Sequence, residues 1–153
     1  MRLTELIQQR HFASPAQEAI LNVVATQSWI NGELAATLAP YGVTPNQYNV
    51  LRILRGRHPV PHTCTEVASR LLDRTPDVTR LLFRLEREGL VHRCRAEHDR
   101  RVVQVSITEK GLALLDRLDA PMEALMQRLT RHLTEADLST LSALLDRLRT
   151  DQA

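Results

Sequence analysis

The sequence predicts a mostly α-helical chain carrying one small β-hairpin. Three observations support this. Apolar residues recur at three- and four-residue steps through most of the 153 positions, and the period falls to two only within 90–107. The periodic stretches are divided by Ser/Thr-Pro starts and Gly stops, not by linkers. With 43% hydrophobic and 25% charged residues, the chain has the apolar content for a core and is not expected to be disordered. No apolar run approaches the roughly 18 residues of a membrane span. Met1 to His11 carries Arg2, Glu5, Arg10 and His11 with no apolar stretch, unlike a secretory leader. Cys64 and Cys94 lie far apart, as expected of incidental thiols in a reducing compartment. The reading is one domain over 1–153, cytoplasmic, without membrane contact.

The first long helix starts at Ser14-Pro15, a good cap followed by a tolerated first-turn proline. Ile20, Val23, Ile30, Leu34 and Leu38 form its stripe, and Pro40-Tyr41-Gly42 ends it. Thr44-Pro45 restarts a helix with Tyr48 and Leu51 inward. His58 to His62, with Pro59 and Pro61, is expected to be extended. Thr63 or Thr65 caps the next helix, with Val67, Ala68, Leu71 and Leu72 inward. A helix over 76–88 follows, its apolar face Val78, Leu81, Leu82 and Leu85, and Gly89 is placed to end it in a left-handed turn. Residues 90–95 and 102–107 then read as paired strands around the charged connector 96–101. Thr108 opens a second long helix, with a kink expected at Pro121, and Thr134 caps a last one.

Helix, turn, helix and two-stranded hairpin, in that order, make a winged helix-turn-helix with a small β-hairpin wing. Long N- and C-terminal helices, suited to dimerisation, flank it. Net charge is only +2, yet residues 65–107 hold nine Arg against seven acids, while 108–153 hold six basic against eight acidic side chains. A major groove admits one helix and is met near that helix's N-terminus. Thr75, Asp77, Thr79, Arg80 and Arg84 are therefore the expected base- and phosphate-facing set. Arg93, Arg95, Arg100 and Arg101 lie on the hairpin arm. An Arg at its tip suits a narrow minor groove, with Asp99 placed to orient Arg101.

The run from Thr65-Glu66-Val67-Ala68 through Val78-Thr79-Arg80-Leu81-Leu82 to Leu85-Glu86-Arg87-Glu88-Gly89-Leu90-Val91 resembles the MarR family of bacterial transcriptional regulators. So do Asp99-Arg100-Arg101-Val102-Val103 and Ile107-Thr108-Glu109-Lys110-Gly111, with the D-x-R wing signature on Asp99 and Arg101. The resemblance covers about 18–150. It implies a homodimer on a pseudo-palindromic operator in double-stranded DNA. That homodimer would be a repressor released by a small aromatic or lipophilic ligand. The winged lobe is expected over 45–107 and the dimerisation helices over 15–39 and 108–150, and no cofactor is expected.

Trp29 and Tyr48 lie near where such relatives bind phenolic ligands, and Arg52, one turn on, suits a ligand carboxylate; core or interface packing is the plainer role for both aromatics. Phe83 departs from the polar residue usual at its position, and its alternative place is against the dimer helices. Cys94 is expected as a small buried residue; a redox role would draw on Arg93 and Arg95. His58, His62 and Cys64 read as an ordinary loop, with no closed metal-ligand set. No nucleophile–base pair or phosphate loop marks an enzyme. The alternatives are a winged module that binds protein and not DNA, and a cysteine-based redox regulator.

Overall fold

The structure, a computed structural model, describes residues 2–73, 77–95 and 102–150. Among these residues, seven helices and three strands follow in order: α1 (Leu3–Leu6), α2 (Pro15–Leu38), α3 (Pro45–Arg55), β1 (His62–Thr63), α4 (Cys64–Arg70), α5 (Val78–Arg87), β2 (Val91–Arg95), β3 (Val103–Ile107), α6 (Glu109–Thr130) and α7 (Glu135–Leu148). A short 3₁₀ turn, Ala39–Tyr41, closes α2 and leads to Gly42, whose φ of 72° is the left-handed turn that glycine accommodates.

Local chemistry starts these helices where the sequence places them. Ser14 Oγ accepts from the Gln17 amide, Thr44 and Gln47 form a reciprocal capping box, and so do Thr63 with Glu66 and Thr134 with Asp137. Thr108 Oγ accepts from the Gly111 amide. Asp77, not a residue before it, caps α5, so that helix begins at Val78 and not within 76–77. α6 runs unbroken through Pro121.

The core closes beneath the winged lobe. Val50, Leu51 and Leu54 of α3, Val67 of α4, Leu82 and Leu85 of α5, Val105 of β3, and Leu115 and Leu118 of α6 are all but fully buried in one cluster. Arg55 ties α3 to α6 through a two-pronged ion pair with Asp119, at 3.0 and 2.8 Å. That pair holds the Asp119 carboxyl below its ordinary range and raises the guanidinium pKa.

Several expectations are corrected. The sheet has three strands, ordered β1-β3-β2, all antiparallel, with His62 opposite Val105 and Val91 opposite Ile107. The segment expected to be extended at 58–62 turns over 56–59 and only then pairs as β1. Leu72, expected inward, is 92% exposed, because the chain leaves helical geometry at Leu71, which takes the buried place. Cys94, expected buried, is exposed. Leu90 belongs to the turn before β2, so its inward direction does not propagate at period two; Val91 carries the inward face. α1, a single turn of four residues, is too short to show an apolar period in the sequence.

The flanking helices are packed differently. Only Leu38 of α2 and nothing of α7 is buried, and Ile20, Val24, Trp29, Leu141, Leu144 and Leu148 leave large apolar surfaces open. An ion pair, Arg128 to Glu33 at 2.6 Å, links α6 to α2. No helix among the described residues is long and apolar enough to cross a membrane.

Candidate nucleic-acid interface

α5 is amphipathic in the strict sense. Leu81, Leu82 and Leu85 are buried, while Thr79, Arg80, Phe83, Arg84 and Arg87 are exposed. Its start is fixed by Asp77, whose carboxylate accepts from the Arg80 amide at 3.1 Å. Asp77 is thus engaged in capping, a role beyond the groove-facing one expected of it.

The far end of α5 is anchored by residues distant in sequence. The Leu90 amide donates to the Leu85 carbonyl across Gly89, whose φ is 71°. Lys110, the only lysine of the chain, donates from Nζ to the Glu88 carbonyl at 2.6 Å. Its positive charge lies against the negative end of the helix dipole. Thr108 Oγ donates to the Gly89 carbonyl at 2.8 Å. The buried Gln47 amide reaches the Glu88 carboxylate at 3.4 Å. Gly111 permits the close approach: a Cβ there would lie 2.4 Å from the Leu90 carbonyl oxygen and 2.7 Å from Ile107 Cγ1. In the sequence Lys110 and Gly111 stand out only as part of the Ile107-to-Gly111 motif. Their tethering role has no local mark, since it depends on a contact between the start of α6 and the end of α5.

The electrostatics separate two kinds of arginine. Among the described residues, Arg80, Arg84, Arg87 and Arg95 carry no ion pair, and all four are exposed. Arg93 points inward on β2 and lies 3.4 Å from Glu86 of α5, so it braces the hairpin against the helix. Arg95 ends β2 beside the connector. Thr75, Asp99, Arg100 and Arg101 lie outside the described residues. Cys94 stands on the outer face of β2 between Arg93 and Arg95. Phe83 faces outward with the arginines and not into the core.

The three residues expected at a ligand site are not brought together. Tyr48 is buried in the core, and Arg52 donates to its hydroxyl at 3.0 Å with the guanidinium 5.9 Å from the ring centre. Trp29 instead lines a cavity of about 370 Å³ with Leu3, Leu6, Asn22, Ala25 and Thr26, which includes neither Tyr48 nor Arg52. Among the described residues no three His, Cys, Asp or Glu side chains converge as metal ligands.

His62 is the one buried histidine among the described residues. It is fully enclosed; the Ile53 backbone approaches the ring without a well-aligned hydrogen bond, and the nearest acid, Glu66, lies 3.9 Å from Nδ1. Burial, with Arg70 and Arg57 nearby, lowers its pKa below the ordinary 6.5, against the weaker pulls of Glu66 and the Ile53 backbone.

Comparison with known proteins matches this arrangement. A model of the MarR family matches residues 41–102, from the turn that follows α2 to the residue before β3. The transcriptional repressor MdtR of Bacillus subtilis is 30% identical over 118 residues, covering 77% of this chain and 75% of that protein. The crystal structure of a MarR transcription factor from Planctomyces limnophilus is 35% identical, covers 89% of this chain and 98% of its own, and superposes with a TM-score of 0.70. A mutant of E. coli MarR, solved in complex with operator DNA, is 29% identical, covers 82% and 89%, and gives a TM-score of 0.74. With a buried-faced, arginine-bearing α5, a sheet hairpin beside it and relatives named as regulators across most of its length, the chain belongs to the MarR family and is a transcriptional regulator, not an enzyme.

Proposed function

We propose that the chain is a homodimeric repressor that binds a pseudo-palindromic operator in double-stranded DNA and is released by a small aromatic or lipophilic ligand. One observation carries the DNA contact: Arg80, Arg84 and Arg87 stand exposed and without ion pairs on the helix whose opposite face is sealed into the core. Guanidinium groups left free of carboxylates are available to phosphates and to guanine edges. The assignment gives Thr79 and Arg80 the base edges, Arg84 the phosphates, Arg95 the flank, and Thr75 and Asp77 the approach to the helix start. Arg100 and Arg101, with Asp99 orienting, take the minor groove.

The lobe is 45–107, and 15–39 with 108–150 are the dimerisation helices. Support for the dimer comes from the large apolar side chains of α2 and α7 that stay exposed among the described residues. Repression is proposed from the relative named as a repressor, and operator binding from the family member solved with operator DNA. For the effector, Tyr48 and Arg52 offer a hydroxyl and a guanidinium in mutual contact, which suits an acid group.

The test is a titration of the purified chain onto the DNA upstream of its own gene at two salt concentrations, with scrambled DNA as control. Preferential binding that weakens steeply with salt is expected. Equal, salt-insensitive binding to both DNAs overturns the reading.

A further inference from the structure

Phe83 presents a side chain that the arginine-based reading leaves without work. It is 52% exposed on α5. Four-residue steps put Thr79, Phe83 and Arg87 in one row along the outer face, with Arg80 and Arg84 in the row beside it. The ring therefore stands near the middle of the cationic face, with Leu81, Leu82 and Leu85 on the opposite side. A partner for this face must be anionic at its rim and must carry an apolar group opposite its centre.

The major groove meets both conditions at one kind of position. Its phosphates supply the anionic rim. Its floor shows hydrogen-bonding groups at every base pair, but only thymine adds an apolar one, the C5-methyl group. A phenyl ring neither donates nor accepts a conventional hydrogen bond, so it cannot read guanine, adenine or cytosine edges as Arg or Asn does. We infer that Phe83 is a specificity residue that covers a thymine C5-methyl group in each half-site, an inference that rests on the DNA-binding reading above. In the free chain the ring stays half in water. On DNA it and the methyl exclude water from each other, and the gain is lost when either is removed.

The experiment selects duplexes from a random pool with the full chain. It then compares each selected thymine with deoxyuridine, which differs only by lacking the methyl. For the wild type, one thymine per half-site is expected to lose about fourfold in affinity on conversion, the equivalent of one buried methyl group. Phe83→Ala is expected to bind the thymine and deoxyuridine duplexes equally, and Phe83→Leu to retain part of the discrimination. If no thymine of the selected sites responds, or if Phe83→Ala discriminates as strongly as the wild type, the inference is overturned while DNA binding stands. A ring reserved for a protein partner gives that same result. If no duplex is selected at all, the DNA-binding reading falls and this inference with it.

Discussion

The winged lobe and the flanking helices solve the same problem differently. In the lobe, α3, α4, α5, the sheet and the first half of α6 seal one apolar cluster, and each helix start in it is capped by a Thr or Asp side chain. In α2 and α7 apolar residues also recur at helical steps, but they gather less tightly on one face, and most stay open to solvent. Periodicity alone does not distinguish these cases, since an amphipathic helix reads alike whether its face meets its own chain or another. What separates them is the inventory of partners: the lobe supplies enough apolar surface to cover itself, and the arms do not. Stability of the lobe should therefore be intrinsic, while that of the arms should depend on chain concentration.

The sharpest way to break this contrast is a pair of truncations. Leu82→Ala, in the sealed cluster, should lower unfolding stability by about 2–5 kcal/mol. Leu144→Ala, on the open face of α7, should change the unfolding of the monomer little and weaken self-association instead. Chemical denaturation and sedimentation on both variants test this, and equal unfolding losses would erase the distinction.

Next in size is Gly111→Ala. The new Cβ meets the Leu90 backbone, which cannot swing aside, so a loss of about 1–3 kcal/mol is expected despite the better helix propensity of Ala. An unchanged melting profile would mean that α6 does not hold the end of α5 as tightly as described.

Arg80→Ala should leave the fold intact and cost about 1–3 kcal/mol of specific binding if Arg80 makes a two-pronged base contact. Equal losses on operator and random DNA would reassign it to a phosphate.

The smallest expected effect is the response to acid. The folded pKa of His62 lies below 6.5, so well above pH 6.5 the ring is neutral in both folded and unfolded chains and contributes no pH dependence. As pH falls below 6.5 the unfolded chain takes up the proton first, and lobe stability declines until the folded ring also protonates. The carboxyls of Glu66 and Asp119, lowered from 4.5 and 3.8, add their losses only at more acidic pH. Denaturation midpoints between pH 7 and pH 5.5 should fall for the wild type and stay flatter for His62→Leu; parallel curves would remove His62 from the account.

Most of the lobe was legible in the sequence because its determinants are local. Caps at Thr44 and Thr108, the stop at Gly89 and the alternation in 103–107 each act within a few residues, as do the caps at Ser14 and Thr134 on the arms. What escaped depends on distance. β1 is two residues long, too short for any period, and exists because β3 offers it an edge. Leu72 follows a helix end that packing of Leu71 imposes. Lys110 and Gly111 act on a helix end some twenty residues earlier in the chain. At the candidate site, the outward set of α5 followed from its apolar stripe, and Phe83 was visible as an anomaly whose side only the three-dimensional arrangement decides.

The central claim is that the unpaired arginines of α5 carry the DNA contact. The direct measurement is affinity against salt concentration for the wild type and for Arg80→Ala/Arg84→Ala/Arg87→Ala, on the DNA upstream of the gene and on scrambled DNA. For the wild type a steep slope and a clear preference are predicted. For the triple variant the slope should be shallower by about 0.9 for each arginine that neutralises a phosphate, and the preference should disappear. If the triple variant keeps both the slope and the preference of the wild type, α5 is not the element that reads DNA.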